Sequence, residues 1–378
     1  MPSRFARAVT RTAYAVSQLP RVAWYLGHSL LLRQLAQAVR EREKPNAARR
    51  AQTGAPGPGR ERIYADMAKL FLQDLDNVEA GLYPIPADHD GSLLTVIHRS
   101  RIFFDDLPSI HRRRQSRAHD EVRNEATRGT RPRYYLQNFH YQSGGWLTEK
   151  SAELYDTQVE ILFNGSANAI RRQALPQLQE IFAGRDQRTL KVIDIGCGTG
   201  RFIDALKQVW PKLPVLGIDL SEAYVKHARR HLRRWSRVRL GVANAERLPV
   251  ADGSQDALTS TFLFHELPPK IRRVVLAECA RVLKPGGRLV IVDSLQCGDR
   301  PDYDGLLELF PQSYHEPYYR SYLEEDFAAL AAKCGLVHVR DVPAFVAKVM
   351  VFDKPASPRF LSKQAPRARD QAGGKMRA

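Results

Sequence analysis

The sequence predicts an α/β fold: a doubly wound, mostly parallel sheet with helices on both faces. Three observations carry the prediction. Residues 192–202, VIDIGCGTGRF, run from an apolar stretch through an acid into glycines at every second position, and helix-forming sequence (RFIDALKQVW) follows. VLGIDLS (215–221) repeats the apolar run that ends in an acid. RVLKPGGRLVIVDS (281–294) then gives a helix end, a Pro-Gly-Gly turn and another apolar run. Buried strands alternating with helical stretches are what a parallel sheet requires.

The first of these segments holds the most chemistry. A strand ends at Asp194–Ile195 and the chain turns through Gly196, Gly198 and Gly200. Glycine admits positive φ and leaves no Cβ between backbone and ligand. A loop of this kind at the carboxyl end of a strand suits close approach of an extended cofactor. The dinucleotide fingerprint would require glycine at position 201, where Arg201 stands. Asp219 closes the second strand. Its carboxylate suits the two hydroxyls of a ribose, or it caps the next helix, a role open also to Ser221. VRLGVANAERLPVADGSQDALTSTFLFHEL (238–267) supplies two further strands, and Lys284-Pro285-Gly286-Gly287 fixes the turn into the fifth.

In this order the segments resemble the class I S-adenosylmethionine (SAM)-dependent methyltransferases. Within that class AERLP, FLFHEL and RVLKPGG resemble the methyltransferase type 11 or ubiquinone/menaquinone C-methyltransferase branch. The resemblance covers residues 186–353. It implies a Rossmann-like sheet of seven strands, one of them antiparallel and supplied by the closing hairpin LVHVRDV (336–342) and AFVAKVMVFD (344–353). It also implies S-adenosyl-L-methionine as cofactor. The implied cofactor residues are Asp194, Gly196, Cys197, Gly198, Thr199 and Gly200 in the loop, Asp219 and Leu220 after the second strand, Asn244 and Ala245 beside the adenine, and Phe262. Many relatives carry Asp where Asn244 stands, so the bond to the adenine amino group is weaker or runs through the Asn carbonyl. Cys197 reads as a packing residue rather than a nucleophile. NFHYQSGGW, YDTQVEILF and FPQSYHEPYY look like a subgroup found in bacteria and plastids, which names no substrate.

Methyl transfer is an in-line displacement, so the enzyme's work is mostly to hold a nucleophile about 3–3.5 Å from the methyl carbon. A phenol, enol or carbon acid also needs its proton removed. His265, at the end of the fourth strand, is the leading base, with Glu266 orienting it or binding substrate; alternatively His265 caps the next helix or bonds a backbone carbonyl. Tyr314-His315-Glu316-Pro317-Tyr318-Tyr319 forms a second constellation, in an insertion that acts as a substrate lid in the family. His315 joins the catalytic candidates, and Tyr314, Glu316 and Tyr318 the substrate contacts. Asn138, His140, Tyr141 and Gln142 precede the core, with His140 and Tyr141 as further substrate contacts. Asp293 reads as a strand-end turn residue.

At 378 residues, 43% of them hydrophobic, the chain holds one large domain plus extensions. Its four cysteines stand singly with no metal spacing, which points to a reducing compartment and to no metal. The net charge of +17 is concentrated in three places. Residues 1–40 carry Arg4, Arg7, Arg11, Arg21, Arg33 and Arg40 and no acid; a second cluster runs from Lys226 to Arg239; a third follows Asp353. Such surfaces attract anions. Specific nucleic-acid binding is not expected, because Phe-His-Glu-Leu stands where base-methylating enzymes place Asn/Asp-Pro-Pro-aromatic.

Residues 1–42 read as a basic amphipathic helix that rests on a membrane, serves as a transit peptide, or packs on the domain. Its apolar run AWYLGHSLLL is too short to span a bilayer. Residues 43–60 read as a flexible linker and 61–185 as a mainly helical cap. Within that cap, 84–132 is mixed with an exposed basic stretch, and 135–175 holds a turn at Ser143-Gly144-Gly145 followed by two helices. Residues 354–378 read as a disordered basic tail. The expected protein is an enzyme that C- or O-methylates a small or lipid-like acceptor, such as a quinone precursor or phenol. The alternative is a non-catalytic SAM-binding or membrane-attached scaffold. The location is cytoplasmic, peripheral on the inner membrane face, or an organelle matrix if residues 1–40 are a transit peptide. Nothing in the sequence fixes the oligomeric state.

Overall fold

A computed structural model describes residues 3–42, 55 and 57–356, so most of the expected linker and of the basic tail lie outside the described residues. The sheet is built from β1 (Val192–Ile195), β2 (Val215–Asp219), β3 (Val238–Val242), β4 (Gln255–Thr261), β5 (Leu283–Ser294), β6 (Val337–Ala344) and β7 (Ala347–Asp353). Their order is β3-β2-β1-β4-β5-β7-β6, and only β7 runs against its neighbours β5 and β6. Val192 pairs with Val215 on one side and Ala257 on the other, so β1 sits where the winding reverses. A ligand crevice forms at the carboxyl ends of strands at such a reversal.

Alternate residues of the strands feed two cores. Val192, Val215, Ala257, Val290 and Val351 face one, and Ile193, Ile218, Leu258, Ile291 and Phe352 face the other. Each is at most 3% exposed, and a fully buried aliphatic of this kind contributes about 1.5–3 kcal/mol. The connecting helices are α7 (Arg201–Val209), α8 (Glu222–His231), α9 (Pro269–Val282), α10 (Asp304–Ser313), α11 (Tyr319–Leu323) and α12 (Phe327–Lys333).

Among the described residues six α-helices precede the sheet: α1 (Arg4–Arg42), α2 (Arg60–Glu79), α3 (Leu93–Ser116), α4 (Glu149–Leu162), α5 (Ala167–Arg172) and α6 (Leu175–Phe182). One goes beyond the sequence expectation. The mixed stretch 84–132 contains α3, 24 residues long, started by the Ser92 hydroxyl accepting the Thr95 N–H; Pro108 in its interior and the basic run after it hide the helical period. Within 135–175 the Ser143–Gly145 turn is followed by α4, whose start is capped by the Thr148 hydroxyl, and by α5.

α1 packs on α2 and α4 and buries Tyr14 and Tyr25. Arg21 reaches Asp90 and Glu160 at 2.7 Å each. Arg172 donates to Asp74 at 2.7 Å, Asp88 at 2.9 Å and the Gln18 carbonyl at 3.1 Å, while the Tyr14 and Tyr83 hydroxyls bond Asp74 at 2.6 Å. This buried network welds α1, α2 and α5 into one cap. No helix among the described residues is long and apolar enough to cross a membrane.

Candidate active site

The glycine loop takes its shape from three positive φ angles, +66° at Gly196, +52° at Gly198 and +85° at Gly200. A Cβ on Gly200 would lie 2.7 Å from Leu232, so that glycine serves packing as well as the turn. A Cβ on Gly198 would meet only Tyr224 at 4.0 Å, which leaves the loop open toward the crevice. Ser221 caps α8 by accepting the Tyr224 N–H at 3.2 Å. Asp219 is thereby released from capping. Its two oxygens accept the Gly198 N–H at 2.9 Å and the Ser221 N–H at 2.8 Å, and each keeps a further lone pair toward the crevice.

Arg201, which breaks the dinucleotide pattern, is a buried clamp. It donates to Asp156 at 2.7 Å and Asp90 at 2.9 Å, fastening the loop to the cap. The Thr199 hydroxyl donates to the same Asp156 at 2.6 Å, so this predicted cofactor residue supports the loop from behind. Cys197 is buried and burial raises its thiol pKa, as a packing residue requires. Asp194 accepts the Thr259 hydroxyl at 2.7 Å, and burial pushes its pKa up to about 7.

The crevice is open to solvent, with about 100 Å³ of free space, and is lined by Gly196, Gly198, Asp219, Leu220, Asn244, Ala245 and Phe262 of the predicted set. Asn244 is fixed by Glu246, its carbonyl accepting that residue's N–H at 3.0 Å and its amide donating to the carboxylate at 2.9 Å. Phe262 sits at φ +56°, stacked on Phe163 at 5.1 Å. Sequence reasoning missed the opposite wall: Tyr134, Tyr135, Trp146 and Tyr155 from the cap, with Tyr224 from α8. The signal available was the aromatic density of 134–155. Trp146 Nε1 and Thr261 Oγ1, both buried in this lining, have no hydrogen-bond partner within the protein. An elongated cofactor with polar groups fits such a crevice, since buried polar atoms left unpaired are costly.

On the acceptor side, His265 Nδ1 lies 2.5 Å from the Asp293 carboxylate, whose other oxygen accepts the Phe264 and His265 N–H groups at 2.8 and 3.3 Å. Asp293 is therefore the partner that orients His265, not a turn residue, and Glu266 does not fill that role. Burial alone lowers the His265 pKa, but the adjacent carboxylate overrides it and raises it from 6.5 to about 9. His265 thus carries its proton near neutrality rather than standing ready as the expected base.

Three predicted residues converge beside it. His140, Glu266 and Glu316 each offer a ligand atom within 4.8 Å of the others, and Tyr314 packs on His140 with ring centroids 5.5 Å apart. The remaining candidates face elsewhere. His315 meets the Gln137 carbonyl at 2.8 Å and lies against His119 at 4.2 Å. Burial lowers its pKa to about 4. The Tyr318 hydroxyl accepts from Gln137 at 3.0 Å, and Tyr141 lies against His315. These three form an outer cluster away from the crevice lining, so a catalytic His315 has no support in the geometry. Asn138 and Gln142 are buried: the Asn138 side chain accepts the Val122 N–H and donates to the Gln142 backbone carbonyl, and the Gln142 amide donates to the Gly145 carbonyl.

The reversed sheet, the glycine loop and the Asp219 cradle together define a class I SAM-dependent methyltransferase domain, a class whose cofactor is S-adenosyl-L-methionine. Residues 192–287 match the methyltransferase domain family. The chain is 35% identical over 149 residues to the demethylmenaquinone methyltransferase of Thermotoga maritima, covering 39% of this chain and 60% of that one. It is 38% identical over 99 residues to the malonyl-[acyl-carrier protein] O-methyltransferase of Hahella chejuensis, covering 26% of this chain and 34% of the relative. Among solved structures, a SAM-dependent methyltransferase from Aquifex aeolicus overlaps 47% of this chain and 87% of its own, with 22% identity and a TM-score of 0.36. The chain spans 60% and 34% of the lengths of the two curated relatives.

Proposed function

We propose that this protein transfers the methyl group of SAM to an oxygen or carbon of a small-molecule acceptor, with a phenol or quinol-like ring favoured. The observation that carries the reading is the His265–Asp293 pair, set at the end of β4 next to the crevice with Glu266 in its lining. The cofactor, when bound, supplies a methyl group already activated for displacement. Asp219 would hold the ribose, Asn244 the adenine edge, and the open face of Gly198 the close backbone contact. Trp146, Tyr155 and Tyr224 exclude water from the other side. A protonated His265 held by Asp293 would stabilise negative charge on an acceptor oxygen, a preorganised electrostatic contribution. The aromatic wall and the name of the Thermotoga relative support a ring acceptor.

The test compares His265→Ala with wild type, measuring S-adenosylhomocysteine release on quinols and phenols and its binding by calorimetry. The expected result is a fall in kcat of about 10²–10³-fold with binding within threefold of wild type. Binding without turnover of any acceptor by the wild-type protein would instead favour a non-catalytic SAM-binding scaffold.

A membrane-resting role for α1 is supported by its outward stripe of Phe5, Val9, Val16, Leu19 and Leu30, between 44% and 79% exposed. The spacings put these residues on one helical face, with exposed Arg4 and Arg33 beside it. An apolar stripe edged by arginines suits the anionic surface of a cytoplasmic leaflet. Val16→Ser/Leu19→Ser should abolish flotation with phosphatidylglycerol vesicles. Equal flotation of variant and wild type refutes this role.

A further inference from the structure

We infer that His140, Glu266 and Glu316 form a divalent-cation site on the acceptor side of the crevice, with open coordination positions for two adjacent oxygens of the acceptor. The ion site stands on the geometry alone; its use for the acceptor rests on the methyl-transfer reading above.

The three side chains come from separate parts of the chain. His140 lies in the turn Phe139–Tyr141 ahead of the sheet, Glu266 in the turn after β4, and Glu316 between α10 and α11. One ligand atom from each falls within 4.8 Å of the other two. Two tetrahedral ligands at about 2.1 Å from one ion stand about 3.4 Å apart, so closing the site takes up to about 1.4 Å of side-chain movement.

Glu316 supplies the independent observation. Its side chain is fully buried, yet neither carboxylate oxygen receives a hydrogen bond. Its Oε1 lies 2.5 Å from His140 Nε2 in a contact without hydrogen-bond geometry. Other buried acids are satisfied: Asp74 by Arg172, Asp156 by Arg201 and Asp293 by His265. Among the described residues no arginine or lysine pairs with Glu316 or Glu266. A buried carboxylate without donors is costly, and two facing each other repel. A cation between them removes both penalties.

One imidazole and two carboxylates suit Zn²⁺, Mn²⁺ or Fe²⁺. Three protein ligands leave positions open, as catalytic rather than structural sites do. Glu266 lines the crevice, so the open side faces it. The acceptor class that fits is one with two neighbouring oxygens, such as an ortho-dioxygenated ring or a β-keto acid. Coordination would hold both oxygens and favour loss of a proton from one of them.

The experiment uses the full-length, untagged protein stripped with a chelator, and titrates Mn²⁺ and Zn²⁺ by calorimetry, with Mn²⁺ also followed by electron paramagnetic resonance. One ion per chain is expected. Glu316→Gln, nearly isosteric, and His140→Ala should each weaken binding at least tenfold while binding S-adenosylhomocysteine like wild type. If a variant fails to fold, the wild-type melting temperature should still rise on adding Mn²⁺. Absence of one-to-one binding by protein that binds S-adenosylhomocysteine overturns the ion site, as does binding undiminished in both variants. Ion binding without turnover of any acceptor upholds the site and overturns the methyl-transfer reading. Turnover undiminished by the chelator overturns the ion's role with the acceptor.

Discussion

Asp219→Asn exchanges one oxygen for an amide nitrogen and puts the cofactor cradle under direct test. Both carboxylate oxygens face donors, the Gly198 N–H at 2.9 Å and the Ser221 N–H at 2.8 Å. An amide can present its oxygen to only one of them, so its NH₂ must oppose the other. The free protein loses a charge-assisted hydrogen bond and leaves a backbone donor unpaired, at a cost of about 1–3 kcal/mol. Burial holds the Asp219 pKa above its usual value, so removing the charge returns part of this and places the net cost toward the lower end. The bound state loses more, because the asparagine keeps one acceptor for two ribose hydroxyls. That adds about 1.5–3 kcal/mol, or about 10- to 150-fold in Kd. Calorimetry with S-adenosylhomocysteine, paired with thermal unfolding of the free protein, separates the two effects. A melting temperature lower by about 2–4 °C per kcal/mol lost is expected for a domain of this size. Affinity within twofold of wild type would refute the role assigned to Asp219.

Two further perturbations probe the scaffold. Arg172→Met strands the buried Asp74 and Asp88 and should cost about 3–5 kcal/mol in urea unfolding; a loss under about 1 kcal/mol would show that the network does not hold the cap. Asp194→Asn should make stability less sensitive to pH. The folded pKa of Asp194 is raised from 3.8 to about 7, so ionisation penalises the native state as pH rises between those values, and the penalty is complete above pH about 7. The asparagine carbonyl can still accept from Thr259, so its advantage over wild type should be near zero at pH about 4, grow toward pH about 7 and then level off. A difference that does not change with pH contradicts this assignment.

The parts of the site that were legible in the sequence are those encoded by consecutive residues. Gly196 and Gly198 lie in one run and Asp219 closes the next strand, so adjacency along the chain carries them to the crevice, while Cys197 and Thr199 of the same run face packing and the cap. The hairpin of β6 and β7 was readable for the same reason. What was missed depends on lateral neighbours. β4 lies beside β5 with Thr261 opposite Val292, and that register alone brings His265 to Asp293; no local pattern around either residue shows it. Arg201 was readable only as a departure from a motif, because its partners stand 45 and 111 residues away. In the stretch from Tyr314 to Tyr319 the residue types were informative but their directions were not. A loop has no period to say that Glu316 turns inward to His140 while His315 turns outward to Gln137.

The buried pairs made by α1 also bear on where this chain can be cut. Arg21 shares Asp90 with Arg201, and Ser29 donates its hydroxyl to the Ile161 carbonyl. This helix completes the electrostatics of the helices that brace the glycine loop. Proteolysis after residue 42 would leave Glu160 and Asp90 short of a cation. The set of contacts that braces the glycine loop accordingly reaches well outside the 192–287 stretch that matches the methyltransferase domain family, back into the first helix.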